Sequence, residues 1–266
     1  MSDGNSVFQD LAAECDSIDE LVAGLADEQW KQPTPAPGWT IAHQIAHLCF
    51  IFGLAGTAAT DAEAFQAMIA GVASGFNAAV NAAVEEYMDE PPQLLARWRA
   101  ERASTVKALA AAPADQPVPW LVRPLPPAIL GCAGIMEAFA HGQDIADALE
   151  IRRSYTDRIR HLVGFTVAVW DFGYQSRGMT PPEAALRFEL TAPSGALWEF
   201  GPADGTDRIT GPAADLCLLA TRRRHRDDLA LVATGPHADQ WLDIAQAYRG
   251  PAGPGRQPGQ FRHLEG

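Results

Sequence analysis

Trp39-Thr40-Ile41-Ala42-His43-Gln44-Ile45-Ala46-His47-Leu48 and Glu137-Ala138-Phe139-Ala140-His141-Gly142-Gln143-Asp144 are the two stretches on which both fold and chemistry turn. Each has the apolar spacing of a helix. One helical turn separates His43 from His47 and Glu137 from His141, so each pair shares a face. Two such helices packed face to face bring two imidazoles and a carboxylate together, a donor set that suits a divalent metal with an open position. A histidine on an apolar helix face is, taken singly, more often a packed side chain than a ligand. The combination says more, because Glu137 sits in the apolar run Ile135-Met136-Glu137-Ala138-Phe139-Ala140, and a buried carboxylate needs a cation or strong donors. Asp144, three residues beyond His141, is placed to accept from the non-ligating nitrogen of a neighbouring histidine and so fix its tautomer. The plainer reading of Asp144 is a solvated helix-face carboxylate.

Outward from these motifs the pattern is helical for two thirds of the chain. Val7, Phe8, Leu11, Ile18, Leu21, Val22 and Leu25 recur at helical intervals between Asn5 and Glu28, and a breaker-rich loop follows through Pro33, Pro35, Pro37 and Gly38. Thr40 caps the helix that carries His43 and His47. Alanine-rich sequence from Asp61 to Val84 continues or follows it, weakened by Gly71 and Gly75. Further helices are predicted over Pro92 to Ala111, Ala128 to Glu150 and Thr156 to Ser176, with a proline-rich connection from Pro113 to Pro127. After Pro181 and Pro182 the texture changes. Leu186, Phe188 and Leu190 alternate with charged residues, Pro193-Ser194-Gly195 reads as a turn, and Leu197, Trp198 and Phe200 complete a hairpin. A short strand at Ile209, a helix from Ala213 to Arg222, a strand from Leu229 to Ala233 and a helix from Ala238 to Tyr248 follow. The tail from Gly250 reads as loose or draped.

The formal charge of −13 argues against nucleic acid and anionic membranes as partners. The first residues lack a basic start followed by an apolar run, and no uninterrupted apolar stretch approaches the ~20 residues that span a bilayer; the expected location is cytoplasmic. Cys15, Cys49, Cys132 and Cys217 are widely spaced and expected to be reduced. Cys49 and Cys132 lie near the candidate ligands in sequence, which leaves a thiolate ligand open beside the plainer reading of buried apolar thiols. No nucleophile elbow, phosphate-cradling loop or dinucleotide fingerprint is present.

Pro37-Gly38-Trp39-Thr40 through His47-Leu48, taken with Glu137-x-x-x-His141-Gly142-x-Asp144, resembles the DinB-like metalloproteins, specifically their mycothiol-dependent maleylpyruvate isomerase branch. The similarity spans nearly the whole chain. It implies an all-α, metal-binding four-helix bundle over residues 1–153, a connecting helix over 154–180, a small α/β (α+β) domain over 181–250 and a Pro/Gly-rich tail over 251–266. Carried over residue by residue, the metal ligands are His47, Glu137 and His141. His43, at a position often Asp in such helices, stands behind the ligands or packs. A C-terminal-domain arginine that reaches the active site in the family matches Arg222, within Leu218-Leu219-Ala220-Thr221-Arg222-Arg223-Arg224; a solvated basic patch at a helix end is the alternative. Trp241 to Pro251 looks like a particular subgroup of the branch.

The resemblance implies a zinc-dependent enzyme, isomerase or S-transferase, with a low-molecular-weight thiol such as mycothiol as cofactor and a small unsaturated, carboxylate-bearing molecule as substrate. A zinc hydrolase or hydratase using the same site, and a metal or small-molecule binding protein without catalysis, are the rival readings.

Overall fold

In the computed structural model, which describes residues 4–70, 76–121 and 123–264, the first apolar stripe forms a helix over Gly4–Val22 (α1), with Val7, Leu11, Cys15, Ile18 and Val22 buried along one face. A one-turn helix, Asp27–Trp30 (α2), sets buried Trp30. The proline-rich loop then doubles back on itself. Thr34 N–H donates to the Trp39 carbonyl and Trp39 N–H to the Ala36 carbonyl, which delivers the chain to Ile41–Thr60 (α3). Asp61 stops that helix in an extended conformation and caps the next, Ala62–Ile69 (α4), by accepting from Ala64 N–H. The predicted run from Asp61 to Val84 is therefore two helices, the second being Phe76–Tyr87 (α5); Gly71 and Gly75 lie outside the described residues. Pro91–Ala111 (α6) and Pro127–Ala148 (α7) complete the helical part, both opening on prolines, where a missing N–H costs nothing.

Helices α1, α6, α3 and α7 close a ring, each packing against the next. Leu11 and Ile18, Leu94 and Trp98, Ile45 and Phe52, and Ile135 and Phe139 fill it. This is a four-helix bundle. By length and composition α3 is apolar enough to cross a membrane, although His43, Gln44 and His47 interrupt its apolar run. Its apolarity is spent in the bundle, where Ile45, Ala46, Leu48 and Cys49 are fully buried.

The chain divides into two compact units, Met1–Ile151 and Arg152–Gly266. In the second, the single helix expected from Thr156 to Ser176 is broken into a 3-10 turn over Asp157–Ile159, a helix over Arg160–Ala168 (α8) and a short helix over Phe172–Gln175 (α9). The break frees the carbonyl of Trp170 to accept from Trp241 Nε1 at 2.8 Å. Tertiary hydrogen bonding overrides helical periodicity here. Leu186–Thr191 (β1) and Leu197–Phe200 (β2) form the antiparallel hairpin, and Asp207–Pro212 (β3) then pairs parallel with β1 on its other side. Ala213–Ala220 (α10), Val232–Thr234 (β4) and Pro236–Ile244 (α11) follow, giving a sheet ordered β2-β1-β3-β4. Helices α10 and α11 pack on β3, with Phe188 edge-on to Trp241 at 5.4 Å. The helix predicted to Tyr248 stops at Ile244, because Gln246 turns back to donate to the carbonyls of Tyr248 and Gly250.

The tail is draped. Gly259 N–H donates to the Asp228 carboxylate, Phe261 is buried, and the Arg224 guanidinium lies 3.9 Å above its ring.

The short crossing from β2 to β3 passes tightly over the start of β1. Gly201 has φ +80°, and a Cβ there would lie 2.1 Å from the Leu186 carbonyl oxygen. Gly201→Ala is expected to destabilise the second unit by more than ~1 kcal/mol, read as a lower denaturant midpoint. Gly24→Ala, with nothing within 4 Å of its Cβ, should leave that midpoint unchanged.

Candidate metal centre

His47 lies near the start of α3, and Glu137 and His141 sit one turn apart in α7. Because helical side chains tilt toward the helix N-terminus, His141 reaches back over Glu137. The contact between α3 and α7 brings His47 to the same point. Glu137 Oε2 is 3.3 Å from His141 Nε2 and 3.5 Å from His47 Nε2, with the imidazole centroids 4.4 Å apart. The three residues offer ligand atoms within 4.8 Å of one another.

These separations are long for charge-assisted hydrogen bonds, which run at about 2.7–2.9 Å. Donor atoms bonded at about 2.0–2.1 Å to one tetrahedral cation stand about 3.3 Å apart. Two imidazoles and one carboxylate are also ordinary chemistry for zinc and its neighbours. The residues fit a divalent metal. Side-chain exposure is 24% for Glu137 and 10% and 11% for His47 and His141.

The surroundings hold the trio in place. The Trp39 ring stacks on His141 at 5.9 Å and tilts against His47 at 5.3 Å, and Phe50 lies 6.5 Å from His47. His141 Nδ1 is bonded at 2.5 Å to Oε1 of fully buried Gln44, whose Nε2 donates at 2.8 Å to Thr34 Oγ1. His47 Nδ1 is shut from solvent without a hydrogen-bond partner, so aromatic packing and the Nε2 contact with Glu137 orient that ring. Burial would raise the pKa of the Glu137 carboxyl; the contacts with His141 and His47 outweigh it and hold the group well below the usual carboxylate range.

Not every residue singled out in the sequence joins the trio. His43 caps α3, its Nδ1 accepting from Thr40 N–H at 3.2 Å, and its Nε2 lies 3.7 Å from Glu85. Asp144 is fully buried further along α7. At His141 Nδ1 the bonded oxygen comes from Gln44 on the facing helix. Only its spacing, three residues before His47 and on the same face, signalled Gln44 in the sequence. Arg222 belongs to the second unit. It follows α10 with φ +60°, its Nη2 lies 3.4 Å from the Gly253 carbonyl, and its buried Nε has no hydrogen-bond partner. Cys49 and Cys132 stand outside the trio as free thiols, pushed up by burial to about 12 and about 11. Among the described residues, the ligand atoms that converge are those of His47, Glu137 and His141, without a cysteine.

Residues 11–146 match the family described as mycothiol maleylpyruvate isomerase N-terminal domain. The chain belongs to this family. The matched segment of this mycothiol maleylpyruvate isomerase N-terminal family member contains His47, Glu137 and His141. Over 257 residues the chain is 41% identical to two uncharacterized proteins of Mycobacterium tuberculosis, from strains CDC 1551 / Oshkosh and ATCC 25618 / H37Rv, spanning 96% of this chain and 100% of each relative. Crystal structures of mycothiol-dependent maleylpyruvate isomerase and of a histidine-to-alanine mutant align with TM-scores of 0.59 and 0.56. Identities are 14% and 15%, covering 88% of this chain and 95% of each of those chains. What is shared at that distance is the fold.

Two measurements test the geometry of this family member. Purified without chelator, it should carry one equivalent of divalent metal by elemental analysis. His47→Ala should lose it, whereas Cys132→Ser should keep it; full retention in His47→Ala rejects this ligand set. In the metal-free protein, the stability due to the depressed Glu137 pKa is present above its ordinary value of 4.5 and lost as pH falls below it. Acid unfolding should therefore steepen there, and Glu137→Gln should flatten that part of the profile.

Proposed function

We propose that this protein is a cytoplasmic, divalent-metal enzyme that activates a low-molecular-weight thiol such as mycothiol for isomerisation or thiol addition and transfer on a small unsaturated carboxylate. The observation that carries the reading is the convergence of His47, Glu137 and His141 at ligand-to-ligand spacing. Membership in a family named for a mycothiol isomerase supports the choice of thiol over water. A divalent cation held there, zinc for preference, supplies the charge that lowers the pKa of a thiol or water brought to it.

The chain's own residues do the rest. Glu137 cancels one of the two positive charges and leaves a net charge of about +1 to attract an anionic thiolate. The indole of Trp39 and the ring of Phe50 keep water from the flanks of His47, which strengthens every electrostatic term inside. Arg222 is the candidate for holding the substrate carboxylate and the negative charge that develops beside it. Its left-handed backbone belongs to the cap that ends α10, where Arg222 N–H returns to the Leu219 carbonyl and Arg223 N–H to the Leu218 carbonyl.

The test is turnover. Zinc-loaded protein is expected to isomerise or add thiol to a cis-unsaturated dicarboxylate only when mycothiol is supplied, and His47→Ala should lower the rate at least ~100-fold. Arg222→Lys should raise KM more than it lowers kcat, because a point charge replaces a bidentate fork. In the cobalt-substituted protein, added thiol should change the visible spectrum. Hydrolysis without thiol would move the assignment to a hydrolase or hydratase. Metal binding with an inert spectrum and no turnover would leave a binding protein.

A further inference from the structure

We propose that the tautomer of His141 is dictated by the backbone carbonyl of Trp39, relayed through Thr34 and Gln44, and that Gln44 is thereby the positioning residue of the metal centre. The inference rests on the metal reading above for its purpose, although its geometry stands without it. A carbonyl oxygen only accepts, and the Thr34 hydroxyl donates to Trp39 O at 2.9 Å, which commits its single proton. Toward Gln44 the hydroxyl therefore presents lone pairs, and the group it meets at 2.8 Å must be the amide nitrogen. Turning the amide over would set its oxygen against an oxygen with no proton to give.

With Nε2 fixed on Thr34, Gln44 directs Oε1 at His141 Nδ1, 2.5 Å away. That oxygen also only accepts, so Nδ1 carries the hydrogen. In the neutral ring the lone pair then falls on Nε2, the nitrogen that stands 3.3 Å from Glu137 Oε2. Gln44 is fully buried, so no solvent competes with the relay. The same loop residue that starts it also presses its indole on both imidazoles. Thr34 and Trp39 thus couple the conformation of the loop to the donor atom that His141 offers.

The full-length protein labelled with 15N-histidine, stripped of metal, held at about pH 8 and carrying Glu137→Gln in every sample, so that no carboxylate competes for a hydrogen on Nε2, reads the tautomer directly in long-range 1H–15N correlations. His141→Gln assigns the signal by its loss. With Thr34 and Gln44 in their wild-type form the ring should show hydrogen on Nδ1, and Thr34→Val, which releases the amide, should show a mixture. Zn2+ affinity, measured by chelator competition, should fall about 10–100-fold in Gln44→Leu, and the same variant, stripped of metal, should lose the single Nδ1–H tautomer. A role in packing alone would leave the tautomer unchanged. Hydrogen on Nε2 with Thr34 and Gln44 in their wild-type form, a single Nδ1–H tautomer in Thr34→Val or Gln44→Leu, or wild-type affinity in Gln44→Leu overturns the proposal. If the wild type binds no Zn2+, the metal reading fails while the tautomer still decides the relay.

Discussion

A carboxylate set between two imidazoles inside an apolar helical bundle is the constraint from which the other features follow. Glu137 cannot be ionised there without nearby positive charge or strong donors, and neither α1 nor α6 brings a cation among the contacts seen at its carboxylate. His47 and His141 make those contacts. The packing of α3 on α7 is thereby tied to one register, because a slip of either helix would separate the donors. The apolar residues around the trio serve the same end, since Trp39 and Phe50 keep the rings from turning away.

The two imidazoles are held by unlike means. Beyond the contact each makes with Glu137, His141 is fixed by hydrogen bonds that begin at a backbone carbonyl, whereas His47 is fixed by aromatic packing and leaves its Nδ1 without a partner. A buried unpaired nitrogen costs about 1–3 kcal/mol, and the bundle carries that cost at the residue contributed by its most apolar helix. An irregular loop rich in proline is a suitable base for this arrangement. Proline fixes φ and removes donors, so the remaining N–H groups of Thr34 and Trp39 have few alternatives to the pairing that places Thr34 beside Gln44.

The helical pairing of His43 with His47 and of Glu137 with His141 was legible because a turn of helix is a local property, and so was the hairpin, where alternation and a turn signal coincide. The trio itself was nominated from spacing and family resemblance, since nothing local fixes which residues of two distant helices meet. Gln44 carried no charge and no motif to mark it, and its part depends on a loop folding back, which periodicity does not report. The break between α8 and α9 was hidden for a similar reason: the hydrogen bond from Trp241 that accompanies it spans residues far apart in sequence.

One detail of the second unit bears on how that unit can be handled. Phe261 is buried beneath the Arg224 guanidinium, and Gly259 ties the backbone to Asp228. A fragment cut at Gly250, where sequence texture suggests a dispensable end, would therefore uncover apolar surface and remove the backbone N–H that Asp228 holds and the ring under Arg224. Any expressible version of this unit has its C-terminal limit beyond the anchored phenylalanine.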